Sequence, residues 1–355
     1  MPRLAVRREL TCEIVVGRGS LGSLGRIVAG LEPYGVVLAH EGLLPRFLVE
    51  LASSSLDEAG VRYSLLPLPS GESCKSLEVV SQVWRGLARV GATRDTLVVG
   101  IGGGALLDAV GFAASTYMRG CRVAYVPTTL LAQADASIGG KTAIDFEGKN
   151  DVGTFSLPEL VVIDPETLRT LPERELRHGA AEIVKHAVIE GGDFFELIER
   201  AGRSLLEDWV LLEEAIKRSI NVKIKHVEVD FEDSKGVRAR LNFGHTVAHA
   251  IERASGYSVA HGEAVAAGMA VEARMAEELV GFPSKERERL LNVLRSLSLP
   301  AEIEINAERL LENARADKKF RRGRPVLALP VAIGRVEVVE LSWREFEEAL
   351  RRSIQ

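Results

Sequence analysis

The sequence predicts an α/β protein: an N-terminal, doubly wound parallel sheet followed by a C-terminal, mainly α-helical domain. Three observations point there. Short apolar runs alternate with amphipathic helical stretches through the first half. One such run ends in the glycine cluster Gly100-Ile101-Gly102-Gly103-Gly104, and beyond about residue 172 strand-like runs give way to long helices. Consecutive parallel strands need crossover helices, so the alternation implies βαβ units. A glycine-rich strand-to-helix turn makes the sheet Rossmann-like.

In chain order, Val36-Val37-Leu38-Ala39 follows Pro33-Tyr34-Gly35 and reads as a buried strand. Residues 46–59 form an amphipathic helix with Pro45 at its start, where a missing N–H costs nothing. A strand at 63–66 and a helix over 76–90 follow, the latter with Leu77, Val80, Val83 and Leu87 at helical spacing. Next come a strand at 96–100, a helix at 105–118 and a strand at 122–126. The stretch 127–150 reads as a long loop dense in polar groups, which in a compact domain is usually functional. Helices then cover 173–190, 193–203, 208–226, 242–255, 261–280 and 284–297. A hairpin pairs Val326–Leu329 with Val336–Val339 around Gly334. The expected domains are therefore 1–172, binding a dinucleotide, and 173–355, binding metal and substrate, with the active site in the cleft between them.

Composition narrows the function classes. The chain has 355 residues, 46% hydrophobic and 27% charged, with net charge −5, which gives no reason to expect nucleic-acid or anionic-membrane partners. The N-terminus lacks an apolar signal segment, and no apolar run approaches the ~18 residues of a membrane helix. Cys12, Cys74 and Cys121 are scattered without a CxxC pair, as in a cytoplasmic protein with reduced thiols. Local Lys/Arg clusters then imply small acidic ligands.

The chemistry concentrates in a few motifs. Gly100 to Ala105 fits G-x-G-x-x-A, in which glycines admit a pyrophosphate to a helix N-terminus. Ser137-Ile138-Gly139-Gly140-Lys141-Thr142 resembles the end of a phosphate-binding P-loop, but that motif needs glycine where Asp135 stands. Of seven histidines, His245, His249 and His261 fall in one short window, and Glu182 lies upstream in His178-Gly179-Ala180-Ala181-Glu182. Two His and one Glu would form an open, catalytic zinc site, with the fourth position free for water or substrate. By spacing alone His245 and His249, four apart on one helical face, form the histidine pair. Any one histidine is more often a plain surface or core residue, and Glu182 with Lys185 could be a plain i,i+3 ion pair. Lys223, Lys225, Arg238, Lys318 and Lys319 add cations without an evident surface role. The combination suits oxidation of a hydroxyl on an anionic substrate and leaves the reaction itself open.

The same motifs resemble those of the 3-dehydroquinate synthase family from Gly71 to Gly334. The blocks are G-E-x-x-K-S-L (71–77), G-G-G-x-x-x-D-x-x-G-F (102–112), Y-M-R-G (117–120) and P-T-T-L-L-A-Q-x-D-x-S-I-G-G-K-T (127–142). G-K-N (148–150), T-L-P-x-R-E (170–175), A-E-x-x-K (181–185), L-N-x-G-H-T-x-x-H-A from Leu241 and H-G-E-A-V from His261 complete the set. The resemblance implies NAD and Zn²⁺ (Co²⁺ as a substitute), with Glu182, His245 and His261 as metal ligands and His249 facing substrate. It implies a sugar-phosphate pocket of Asp135, Lys141, Asn150, Lys185, Lys223, Arg238, Asn242, His249 and Lys318 or Lys319. It also implies a homodimer in which Arg119 reaches the neighbouring subunit's substrate phosphate. Cofactor contacts fall to Glu72, Lys75, Gly102, Gly103, Gly104, Asp108, Thr128, Thr129, Leu131, Lys149, Asn150, Thr170, Leu171 and Glu175. The implied reaction turns 3-deoxy-D-arabino-heptulosonate 7-phosphate into 3-dehydroquinate and phosphate.

Three positions depart from the family pattern. Leu107 stands where a glycine usually precedes Asp108. His40-Glu41-Gly42 replaces the usual Asp or Asn that holds the adenosine ribose, which leaves NAD against NADP open. One extra residue between Lys223 and Arg238 leaves Lys225 as an alternative to Lys223. The rival expectations are a cyclase that makes a cyclitol, a metal-dependent polyol or glycerol-phosphate dehydrogenase, and a non-catalytic NAD-sensing scaffold. The scaffold would show damage to the metal triad, and Glu182, His245 and His261 are intact.

Overall fold

The structure, a computed structural model, describes residues 10–302, 305, 307–315 and 324–354. It divides into two compact units, Met1–Thr128 with Ala136–Thr170, and Thr129–Asp135 with Leu171–Gln355.

The first unit contains β1 (Glu13–Val16), α1 (Leu24–Ala29), β2 (Val36–Glu41), α2 (Arg46–Glu58), β3 (Tyr63–Leu68), α3 (Leu77–Arg89) and β4 (Leu97–Gly102). α4 (Gly104–Thr116), β5 (Arg122–Pro127), β6 (Lys141–Ile144), β7 (Val152–Phe155) and β8 (Leu160–Ile163) follow. Six strands form one parallel sheet in the order β1-β8-β5-β4-β2-β3. Every residue of β4 and β8 is buried, which is why these strands read as unbroken apolar runs rather than alternating ones. Strand β2 has β3 on one side and β4 on the other, so the winding reverses between β2 and β4. At such a switch point the carboxyl ends of the strands leave room for a ligand. The stretch expected as a loop is partly structured: it holds one π-helical turn, Ala132–Ala136, and β6, which pairs in an antiparallel hairpin with β7 just beyond it. Strands β1 and β8 and helix α1 were not anticipated. The apolar run Leu160–Ile163 does carry the signal of β8, while β1 and α1, at four and six residues, are too short to show a period.

The second unit holds α5 (Glu173–Glu190), α6 (Gly192–Ala201), α7 (Trp209–Val229), α8 (His245–Ala254), α9 (His261–Leu279), α10 (Ser284–Ser296), α11 (Ala307–Ala314), β9 (Val326–Ala332), β10 (Arg335–Glu340) and α12 (Trp343–Ile354). Helix α5 is its axis, buried continuously from His178 to Ile189 and packed on α6, α7 and α9. A helix enclosed on all sides must pair every charge that it carries. The segment Thr129–Asp135, expected in the first domain, packs here because α5 offers it Gly179. A Cβ at Gly179 would lie 2.5 Å from the Leu130 Cβ and 2.6 Å from the Leu131 nitrogen. Gly244, with φ +81°, starts α8 where it meets α9, and a side chain there would strike Met269 at 2.5 Å. Glu272 of α9, wholly buried, accepts the Gly244 N–H at 2.6 Å and the Val247 N–H at 3.0 Å, capping α8. Among the described residues no helix is long and apolar enough to cross a membrane.

Candidate active site

The helical unit gathers most of the predicted metal and substrate residues. Glu182 comes from the middle of α5, while His245 and His261 are the first residues of α8 and α9. The Nε2 atoms of His245 and His261 lie 3.3 and 3.4 Å from the same Glu182 oxygen, Oε1. One ligand atom from each residue falls within 4.8 Å of the other two. Both Nδ1 atoms face away from that point, the one on His245 toward the Phe243 carbonyl and the one on His261 toward Glu252, each at 3.3 Å. Glu182 is fully buried, and neither of its oxygens meets a well-aligned hydrogen-bond donor. Burial acts to raise its pKa, but Lys185 and His245 outweigh burial and hold the carboxyl well below the ordinary value. Burial lowers the pKa of His245, which favours the neutral, ligating form. Two imidazole nitrogens and a carboxylate oxygen converging at a buried point fit a divalent ion with an open position. His249 stands outside this group, its ring centroid 5.8 Å from that of His245. The i,i+4 expectation therefore yields to a tertiary one: His261, from the neighbouring helix, completes the set.

Beside it lies a cation-rich cluster. Asp135, on the π-helical turn, contacts Lys223 through Oδ1 and lies 3.7 Å from Lys185 through Oδ2. Lys185 also reaches Glu182 at 2.6 Å. Asp135, Glu182 and His186 have ligand atoms close enough for an ion as well, but the Lys185 ammonium already bridges the two carboxylates. Burial acts to raise the Asp135 pKa, yet Lys185 and Lys223 hold it below the usual carboxylate range. Burial pushes His186 down to about 3, so its ring is neutral, with Nδ1 on Ser219 Oγ. Lys223 is buried, whereas Lys225 is exposed and pairs with Glu190 at 2.5 Å, so Lys223 is the lysine of this cluster. Arg238 is 3% exposed and donates from Nη1 to the Phe231 carbonyl at 2.8 Å. Its loop is fastened by Asp230, whose carboxylate accepts four backbone N–H groups, from Ser234, Lys235, Val237 and Arg238, at 2.8–3.1 Å. Asn242 ends the 3₁₀ turn Arg238–Asn242 that leads into α8. Lys318 and Lys319 lie outside the described residues.

In the sheet unit, Gly102 ends β4, Gly103 caps α4 and Gly104 opens that helix. Lys75 donates to Asp108 at 2.6 Å and to Asn150 Oδ1, and Lys149 stands 3.9 Å from Glu72. The Thr128 N–H donates to the Gly102 carbonyl at 3.0 Å. These predicted cofactor residues thus surround the carboxyl end of β4. Thr170 closes a 3₁₀ turn at the end of this unit. Thr129, Leu131, Leu171 and Glu175 belong to the helical unit, where Glu175 lies 3.5 Å from His178. Lys141 is exposed, 5.9 Å from the Phe155 ring centroid, and Arg119 is exposed with φ +66°.

Family profiles described as the N-terminal and C-terminal parts of 3-dehydroquinate synthase match residues 65–178 and 179–320. The chain belongs to the 3-dehydroquinate synthase family. Named 3-dehydroquinate synthases from Thermococcus kodakarensis and Pyrobaculum islandicum are each 41% identical to it, over 95% and 96% of this chain and 93% and 94% of theirs. Among solved structures, 2-epi-5-epi-valiolone synthase from Streptomyces hygroscopicus, with NAD⁺ and Zn²⁺ bound, is 29% identical with a TM-score of 0.89, covering 99% of each chain. A 2-deoxy-scyllo-inosose synthase shares the fold, with a TM-score of 0.84 at 24% identity over 96% of each chain.

Against the 3-dehydroquinate synthase pattern, two departures acquire a structural account. Leu107 is 2% exposed and covers Gly100, where an added Cβ would lie 3.2 Å from the Leu107 side chain, so it is a core residue. Glu41, at the carboxyl end of β2, accepts the Gly103 N–H at 2.8 Å, and burial raises its pKa. Residue reading missed His186, Asp230, Glu252 and Glu272, and named Glu41 only within the departure at the ribose position. Only Glu252 carried a signal, three residues after His249 and so on the same helical face.

Proposed function

We propose that this protein is a 3-dehydroquinate synthase, converting 3-deoxy-D-arabino-heptulosonate 7-phosphate to 3-dehydroquinate and phosphate as a cytoplasmic step of the shikimate pathway. The observation that carries the reading is the Glu182–His245–His261 set beside Asp135, Lys185, Lys223 and Arg238, in a chain of this family. When bound, NAD supplies the transient hydride acceptor at substrate C5, and a Zn²⁺ or Co²⁺ ion held by Glu182, His245 and His261 supplies Lewis acidity to the substrate hydroxyls. A C5 ketone acidifies the neighbouring C6–H, so phosphate leaves by elimination before reduction, ring opening and aldol closure.

The chain's own residues bind, orient and move protons. Lys141, Lys185, Lys223 and Arg238 anchor the anionic groups by charge-assisted hydrogen bonds. A substrate phosphate oxygen can take the C6 proton, so no strong protein base is required. His249 relays a proton at the C5 oxygen, and Asn150 and Asn242 orient hydroxyls. Glu72, Lys75, Gly102, Gly103, Gly104, Asp108, Thr128, Thr129, Leu131, Lys149, Asn150, Thr170, Leu171 and Glu175 hold the dinucleotide. The protein works as a homodimer, with Arg119 of the partner subunit on the substrate phosphate. A second reading, a cyclase that makes a cyclitol, is favoured by the TM-score of 0.89 to 2-epi-5-epi-valiolone synthase.

The test is phosphate release from the heptulosonate phosphate with zinc and catalytic NAD, followed together with absorbance at 340 nm. Phosphate without net NADH, lost on chelation, is the expected result. Stoichiometric NADH would indicate a dehydrogenase instead, and turnover of sedoheptulose 7-phosphate alone would indicate the cyclitol reading.

A further inference from the structure

His261 is the least enclosed of the three converging residues: its side chain is 32% exposed, against 12% for His245 and 1% for Glu182. Packing therefore confines its ring less than it does the other two side chains. As the first residue of α9, it also adjoins the turn that follows α8. Facing the ring is a carboxylate on the other helix. Glu252 of α8 is 3% exposed, and its Oε1 lies 3.3 Å from His261 Nδ1. Leaving a carboxylate buried costs several kcal/mol of desolvation unless a donor compensates it. We infer that Glu252 is a positioning residue for the metal site. It accepts the Nδ1 proton of His261, fixes the tautomer whose Nε2 lone pair faces Glu182 Oε1, and raises the basicity of that nitrogen. Carboxylate–histidine pairs of this kind tune a bound ion without touching it, and losing one typically weakens affinity 10- to 100-fold.

Geometry separates Glu252 from three other enclosed or largely enclosed carboxylates of the helical unit. Asp135 faces Lys185 and Lys223, Glu272 faces the backbone N–H groups of Gly244 and Val247, and Asp230 faces the loop before α8. Of these four, Glu252 is the one at hydrogen-bonding range of a converging imidazole. Glu252→Gln keeps the shape and an acceptor oxygen but loses the charge, whereas Glu252→Ala loses both.

The inference rests on the metal reading, so its test measures the ion and not turnover. Full-length protein with NAD is titrated with Co²⁺ against a chromophoric chelator, and the visible Co²⁺ bands are recorded. Wild type is expected to bind one ion per chain. Glu252→Gln should bind about tenfold more weakly and Glu252→Ala about 100-fold more weakly, both with altered bands. Urea unfolding of the metal-free variants shows whether each is folded, and the isosteric Gln variant carries the test if the Ala variant is not. Wild-type binding with unchanged affinity and bands in a folded variant overturns the role of Glu252 and leaves the metal reading standing. A wild-type chain that takes up no ion overturns both.

Discussion

At the scale of single residues, Asp230 shows how a side chain outside the substrate set can shape it. Its carboxylate collects four backbone N–H groups and so defines the loop that delivers Arg238. Burial acts to raise its pKa, but these donors outweigh burial and hold it down to about 2. A depressed folded-state pKa stabilises the fold above the unfolded value of ~3.9, and that contribution disappears as pH falls through the folded value. Wild type should therefore exceed Asp230→Asn in urea midpoint by a constant margin above about pH 5, and the margin should shrink toward pH 2. A pH-independent margin would place the effect in packing instead. The candidate metal residues were only partly legible at this scale. Spacing offered His245 and His249, whereas His261 enters from another helix, a tertiary juxtaposition that local periodicity cannot carry. The family blocks supplied what spacing could not.

Among the elements, α8 is the one whose start matters most, because His245 is its first residue. Its N-cap, Gly244, has no side chain to satisfy the free N–H groups, and Glu272 of α9 does so from outside the helix. Glu272→Ala leaves two buried donors without this acceptor and should cost about 2–4 kcal/mol in urea unfolding. Gly268→Ala, whose Cβ would lie 2.1 Å from the Gly244 carbonyl, should separate α8 from α9 and weaken Co²⁺ binding as well as stability. Unchanged Co²⁺ affinity in that variant would mean that this contact does not set His245. Helices α2 to α10 and the buried strands β2, β4 and β5 were readable from sequence, whereas β8, α11 and α12 were passed over although their apolar patterns are regular. The hairpin β6–β7 was not readable, since Thr142, Gly153 and Thr154 interrupt any alternating pattern.

For the whole molecule, the proposed dimer makes a prediction that needs two damaged chains. Arg119→Ala should weaken binding of the phosphorylated substrate with metal retained, and His245→Ala should lose metal and turnover together. If Arg119 serves the partner's site, a mixed dimer of these two variants contains one site with both residues present. Refolding an equal mixture should then recover about a quarter of wild-type activity, as random pairing into two-fold dimers requires. No recovery would assign Arg119 to its own subunit's site. Two-part architecture was legible in the composition of the two halves, but the true partition was not. No composition shift marks Thr129–Asp135, and only its fit over Gly179 reveals where it belongs.

That segment also fixes how the protein can be cut, swapped and synthesised. The polypeptide passes from the first unit to the second at Thr129, back at Ala136 and across again at Leu171. No single break in the gene releases either unit whole. On the ribosome, all of the sheet's strands have been translated by Thr170, while Thr129–Asp135 must wait for α5 to emerge. A chimera that takes its helical half from a relative has to bring this short stretch along, or Leu130 and Leu131 will face a Gly179 surface shaped for another chain.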